Sequence, residues 1–201
     1  ALAYNIRGRV RQARGDGEGA IEEYDRAIAV DPRNTEAYCE RGIVRGGKGD
    51  LAGAIEDFNR AIEIDPRYAP AYAGRGTARG MKGEVEGAIG DYGRAIELDP
   101  RDHDVYTNRG FLRRSRGDLR GAIGDFETAL EVAPAGWSYR RMVEENLEKA
   151  WKLISDTGLE LDPPARLGDY LGCGQFPITI SISEVQRRLE HVLPLLEASF
   201  N

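Results

Sequence analysis

The chain is poor in the residues that carry most enzyme chemistry: two histidines, two cysteines, two methionines and two tryptophans in 201 residues. Only His103 and His191 offer an imidazole, and neither is spaced with cysteines or carboxylates as metal ligands are. His103 reads as a solvated residue at a helix start. Cys39 and Cys173 are too few for a disulfide framework and are expected as unlinked, partly buried thiols. The glycine-rich run at 45–49 lacks the spacing of a phosphate loop. No cofactor, metal or catalytic residue is expected. Long apolar runs are missing too: nothing approaches the roughly 20 residues that cross a bilayer, so membrane insertion is not expected. Nor is there an excess of positive charge. The net charge is −6, and acidic and basic residues alternate along the chain, which argues against nucleic acid as a partner. Lysine is confined to Lys48, Lys82, Lys149 and Lys152, leaving arginine as the main cation.

What the chain does have is a period. AIEEYDRAIAVDP ends at Pro32, AIEDFNRAIEIDP at Pro66, AIGDYGRAIELDP at Pro100 and AIGDFETALEVAP at Pro134, each 34 residues after the last. Upstream, Tyr4, Tyr38, Tyr72 and Tyr106 align, each followed four residues later by Gly8, Gly42, Gly76 and Gly110. Fixed periods of this length mark stacked supersecondary units. Each unit predicts two helices, A and B. Ala20, Tyr24 and Ala27, with their copies Ala54/Phe58/Ala61, Ala88/Tyr92/Ala95 and Ala122/Phe126/Ala129, give helix B one face of alternating small and large side chains. The glycine at 8 and its copies let that face approach helix A closely.

The turns are also legible. Gly15, Gly49, Gly83 and Gly117 stand where helix A must stop. Asp16, Asp50, Glu84 and Asp118 follow at the position that caps helix B. Asp31-Pro32 and its copies close each unit, because proline cannot continue a helix. Gly19, Gly53, Gly87 and Gly121 recur inside helix B, where glycine is unfavourable by about 1 kcal/mol relative to alanine. The pattern offers no reason for them.

Charge repeats as well. Arg7, Arg41, Arg75 and Arg109 share one register, and Arg11, Arg45, Arg79 and Arg113 another. Glu23, Asp57, Asp91 and Asp125 form a matching acidic series. Two readings are open: an arginine track for an acidic ligand, or an arginine–carboxylate ladder between A and B helices. The matched acids favour the ladder.

The 34-residue period with this small/large pattern resembles the tetratricopeptide repeat over residues 1–136. The resemblance implies an all-α, right-handed superhelical α-α solenoid. Its repeats would run 1–34, 35–68, 69–102 and 103–136, with a closing helix over 137–156. It also implies that helix A residues line a concave groove that holds peptides. Mapped onto this chain, the groove residues are Asn5 and Arg9, Cys39 and Ile43, Ala73, Thr77 and Met81, then Thr107, Phe111 and Arg114. A sub-class grips a C-terminal carboxylate with Lys and Asn. Here Asn5 and Arg9 are followed by Glu40, Ala73 and Thr77, so capture of a chaperone tail is not expected. The middle of the groove is small and apolar, which either suits an apolar segment or only accommodates tight curvature of the stack.

After the repeats, residues 137–154 predict a helix with Tyr139, Met142, Val143, Leu147, Ala150, Trp151 and Ile154 on its apolar face. Residues 157–177 read as a linker, 178–182 as a short extended segment, and 183–201 as an amphipathic helix opened by a capping box at Ser183 and Gln186. That last helix is apolar enough to need cover, and folding onto the chain's own groove is one way to obtain it. The function expected from all this is a non-catalytic scaffold that binds a protein or peptide. Two alternatives stand beside it: a self-assembling repeat protein joined through the apolar Leu2, Ile6 and Val10 or through its tail, and an interaction segment of a larger enzyme.

Overall fold

The computed structural model describes residues 1–157; the linker, extended segment and final helix expected further on lie outside the described residues. Eight helices form four antiparallel pairs: α1 (Leu2–Ala13) with α2 (Gly17–Val30), α3 (Thr35–Gly47) with α4 (Leu51–Ile64), α5 (Ala69–Lys82) with α6 (Val85–Leu98), and α7 (His103–Ser115) with α8 (Leu119–Val132). A ninth, α9 (Arg140–Thr157), lies against α8.

Each pair is held by a ring seated on a glycine. The rings of Tyr24, Phe58, Tyr92 and Phe126 are buried, flanked by alanines that are likewise buried. A β-carbon at Gly76 would stand 2.9 Å from the Tyr92 ring, and one at Gly110 2.7 Å from that of Phe126. These contacts replace side-chain bulk with backbone proximity, which is why small residues recur in register. Gly49, with φ 88°, ends α3 in the left-handed region, and its three counterparts do the same for the other A helices.

The recurring glycine inside helix B now has a cause. The carboxylates of Asp16, Asp50 and Asp118 accept a hydrogen bond from the backbone amide of Gly19, Gly53 and Gly121, each at 2.9 Å. Their second carboxylate oxygens lie where a β-carbon on that glycine would be. They are also turned toward arginine: Arg11 Nη1 is 3.1 Å from Asp16, and Arg113 Nε is 3.6 Å from Asp118. An aspartate that caps a helix and faces an arginine at once leaves no room for a side chain at the third helical position. In the third repeat the cap fails. Glu84 makes no side-chain cap bond and pairs with Lys82 instead, at 2.6 Å.

The charged ladder is structural. Arg75 grips Asp91 with two bonds, Nε at 3.0 Å and Nη2 at 2.6 Å, while Arg79 Nη1 reaches the same carboxylate at 2.7 Å. Arg41 with Arg45 around Asp57, and Arg109 with Arg113 around Asp125, repeat the arrangement. The first rung differs. Glu23 is fully buried, but Arg7 meets only its Oε1, and its Oε2 has no partner. The extra methylene of glutamate defeats the two-pronged grip that aspartate allows.

Two expectations about α9 need correction. The helix begins at Arg140 rather than 137, because residues 134–139 turn: the Trp137 amide donates to the Pro134 carbonyl and the Arg140 amide to that of Trp137. Val143, Ala150 and Ile154 then set the register against α8, so Tyr139 and Met142, assigned to the apolar face, are exposed. His103 is not a solvated helix-end residue either. Its ring stands edge-on to Trp137, with centroids 4.8 Å apart.

Candidate ligand groove

Across every seam the A helices touch one another, α1 with α3, α3 with α5 and α5 with α7, while no successive B helices make comparable contact among the described residues. The row with the closer neighbours is the inner curve of the stack. The A helices therefore line the concave side, and the register of each A residue decides whether it faces the groove or the seam.

The ten groove positions read from the sequence divide along that line. Arg9, Ile43, Thr77 and Met81 are exposed. Asn5, Cys39 and Thr107 are buried in the seams. Asn5 Nδ2 donates to Asn34 Oδ1 at 3.2 Å and Glu36 Oε2 at 3.1 Å, tying α1 to the start of α3. Cys39 sits in the core formed with Phe58, Ala61 and Ala71. Thr107 Oγ1 donates to its own helix, at the His103 carbonyl. Ala73 is half-buried against the core of the third repeat. Phe111 packs edge-on against Phe126, and Arg114 lies over the Phe111 ring and donates to Asn146 of α9. Those two residues brace the junction with α9.

The open residues give the groove two characters. Toward the first seam it is polar. Arg9 Nη1 is 3.8 Å from Glu36 Oε1, and Glu40 lies one helical turn from Glu36 on the same face. Burial, with Glu36 nearby, raises the Glu40 carboxyl above its ordinary range against the opposing pull of Arg9. The Tyr24 hydroxyl donates to Gln12 Oε1 at 3.1 Å at this end. Toward the third repeat the surface becomes small and apolar. Gly47, where a β-carbon would meet nothing within 4 Å, leaves room one turn from Ile43, and Thr77 Oγ1 bonds the Ala73 carbonyl at 3.1 Å and lies 3.0 Å from the Tyr92 hydroxyl. Glu40 is the residue that breaks the carboxylate clamp in the sequence, and its i, i+4 spacing from Glu36 joins the two into one acidic patch.

Burial, with Glu40 and Glu36 beside it, pushes the Cys39 thiol up to about 12, so it stays protonated and unreactive. The described residues hold no group of three or more side chains placed to bind a metal ion, and no helix among them is long and apolar enough to cross a membrane.

A row of helix pairs with an inner A face and an outer B face is the architecture of an α-α solenoid. The chain belongs to the tetratricopeptide-repeat family: the family model described as TPR repeat matches residues 8–49, 47–83 and 81–113. Among solved structures it is similar to MamA protein, at 27% identity and a TM-score of 0.60, covering 80% of this chain and 96% of that one. The second TPR domain of human RPAP3, solved in complex with the HSP70 peptide SGPTIEEVD, is 30% identical with a TM-score of 0.54, covering 56% of this chain and 94% of that one. The first TPR of Spaghetti (RPAP3), bound to the HSP90 peptide SRMEEVD, is 26% identical with a TM-score of 0.56, covering 58% and 92%. No curated protein matches in sequence.

Proposed function

We propose that this chain is a protein-interaction scaffold without chemistry of its own, holding a peptide segment of a partner along the A-helix groove. The observation that carries this is the pair of exposed apolar side chains, Ile43 and Met81, on an inner face otherwise cleared by glycine and alanine. Exposed apolar surface in a concave, roomy setting favours an apolar anchor on the ligand. Glu36 and Glu40 add a preference for a basic group toward the first repeat. The similar RPAP3 domains hold peptides ending in EEVD. In this chain the acidic Glu36 and Glu40 stand beside Arg9, so an acidic tail meets like charge on one side of its single cation.

The test is a displayed random-peptide selection against the full chain, repeated with an Ile43→Glu/Met81→Glu double variant. Both side chains are exposed, so the variant keeps its fold. Peptides with an apolar anchor should enrich on the parent and weaken at least tenfold on the variant, a loss of about 1.4 kcal/mol or more. Enrichment that ignores the double variant, or a preference for EEVD-ended peptides, would contradict the proposal.

A further inference from the structure

Two residues break the repeat at one place in the groove. The position that caps helix A is Asn34 in the second repeat and Asp102 in the fourth, and both side chains accept bonds from the helix that follows. In the third it is Tyr68, which caps nothing; its ring packs on the core around Cys39 and Phe58. Burial, with Cys39, Glu36 and Glu40 nearby, pushes its hydroxyl up to about 12. The second break is Glu40, whose register is neutral elsewhere, as Ile6, Gly74 and Asn108. At the second seam a β-carbon on Gly74 would stand 2.4 Å from the Phe58 ring, so an aromatic ring closes that seam. The first seam holds a carboxylate there, close enough to Tyr24 to help burial raise its hydroxyl above the ordinary value.

The charges around Glu40 do not balance. Glu36 has a structural part: it stands in the first turn of α3 and accepts a bond from Asn5 Nδ2 at 3.1 Å. Glu40 has none. It is half-buried and makes no hydrogen bond among the described residues; burial disfavours its charge, Arg9 favours it, and Glu36 opposes it. Arg9 itself is 3.8 Å from Glu36, with its side chain 64% exposed. One cation for two carboxylates leaves a negative charge over. Asn5, only 3% exposed and bonded to Glu36, borders the same cluster with an Oδ1 that has no hydrogen-bond partner. The unsatisfied groups are all acceptors, so what the site lacks is a donor with positive charge. A seam built for stability alone would carry a neutral residue at 40, as the other repeats do.

We propose that this is the pocket for a basic side chain of the bound peptide, an arginine or a lysine, held by Glu40 and Glu36 and laid against the Tyr68 ring. It rests on the groove reading and assigns one position of that ligand. A tyrosine face attracts a cation, and a half-buried carboxylate gives it a charge-assisted bond. Glu40 and Ile43 are three residues apart on α3, about 5–6 Å along the helix surface. An extended peptide covers that distance in about two residues, at roughly 3.3 Å each. The basic residue therefore lies within two positions of the apolar anchor. Its charge makes a carboxylate that is unfavourable in the free chain favourable in the complex.

Glu40→Gln separates a binding role from a structural one, because the two give opposite signs. Displayed random peptides enriched on the full chain are sequenced, and the most enriched is measured by fluorescence anisotropy with arginine, lysine or alanine at the basic position. Arginine or lysine should recur within two positions of the apolar anchor, and the alanine version should bind at least tenfold more weakly. Glu40→Gln should raise Tm at neutral pH and yet weaken the basic peptides about tenfold. Tyr68→Leu, with helicity unchanged, should weaken them about threefold. Neither variant should alter binding of the alanine version. Enrichment of apolar-anchored peptides without a basic residue, or basic peptides that ignore Glu40→Gln, would overturn the pocket and leave the groove reading in place. Peptides that depend on Glu40 but ignore the Ile43→Glu/Met81→Glu double variant would keep the pocket and remove the apolar anchor. Failure to enrich any peptide would overturn both.

Discussion

At the carboxyl end of the array α9 lays Val143, Ala150 and Ile154 against Ala122, Ile123 and Phe126, whereas at the amino end Leu2, Ile6 and Val10 face solvent. The open side of α9 is mostly charged, with Arg141, Glu144, Glu145 and Glu148 exposed beside Met142 and Leu153. The outer face of α1 keeps the apolar and basic side chains of an internal seam. In a stack whose stability is a sum of units and interfaces, a covered end contributes one more interface. Among the described residues nothing adds an interface on the far side of α1. The first rung of the ladder follows the same division: Glu23 leaves one oxygen unpaired, while the rungs built on aspartate are fully gripped.

Matched substitutions at the two ends should give the largest contrast. Val143→Asp buries a charge among apolar groups and should destabilise by about 4 kcal/mol, whereas Val10→Asp should change stability by no more than about 0.5 kcal/mol. Urea unfolding followed by circular dichroism would read both, and equal effects would erase the distinction between the ends. The ladder gives a smaller contrast. Asp57→Asn weakens arginine contacts on both carboxylate oxygens and should cost about 2 kcal/mol, against about 1 kcal/mol for Glu23→Gln, whose contacts with Arg7, Arg11 and Arg26 all fall on one oxygen that the amide can keep.

A third comparison uses pH. Ile6 on the bare face and Glu40 in the first seam share a register. Because burial raises the Glu40 carboxyl, the folded chain holds that proton more tightly than the unfolded one does. Its stabilising effect is therefore fullest below the ordinary glutamate value and is lost as pH rises through the raised folded value. Glu40→Gln should then stabilise the chain at neutral pH, with a gain that fades toward pH 4, the ordinary carboxylate range. A gain that instead grows on acidification would reverse the assigned sign. The smallest effect expected is at Cys39: native protein at pH 8, well below the thiol's value of about 12, should leave it unalkylated by iodoacetamide, as peptide mass spectrometry would show.

The fold was legible because the period is unbroken: four copies of the same small/large pattern force four similar helix pairs. The groove was legible only in part. Asn5, Ile43 and Thr77 belong to one broad stripe in the sequence, but the A helices pack closely enough for position 5 to turn into the seam while position 9 stays in solvent. That split depends on the spacing between helices, which no single helix encodes. The glycine at 19 was opaque for a similar reason, since its cause is a three-way meeting of a cap, an arginine from another helix and a missing β-carbon. In α9, four apolar residues at helical spacing outvoted Tyr139 and Met142, and the turn after Pro134 delayed the start.

The central claim is that a ligand sits on the A-helix face, and methyl NMR of the full chain tests it most directly. On titration with a peptide selected as described, the Ile43 and Met81 methyl signals should shift saturably while those of Val30, exposed at the end of α2, stay in place. Shifts at Val30 with Ile43 and Met81 unmoved would place the ligand outside the groove and contradict the account.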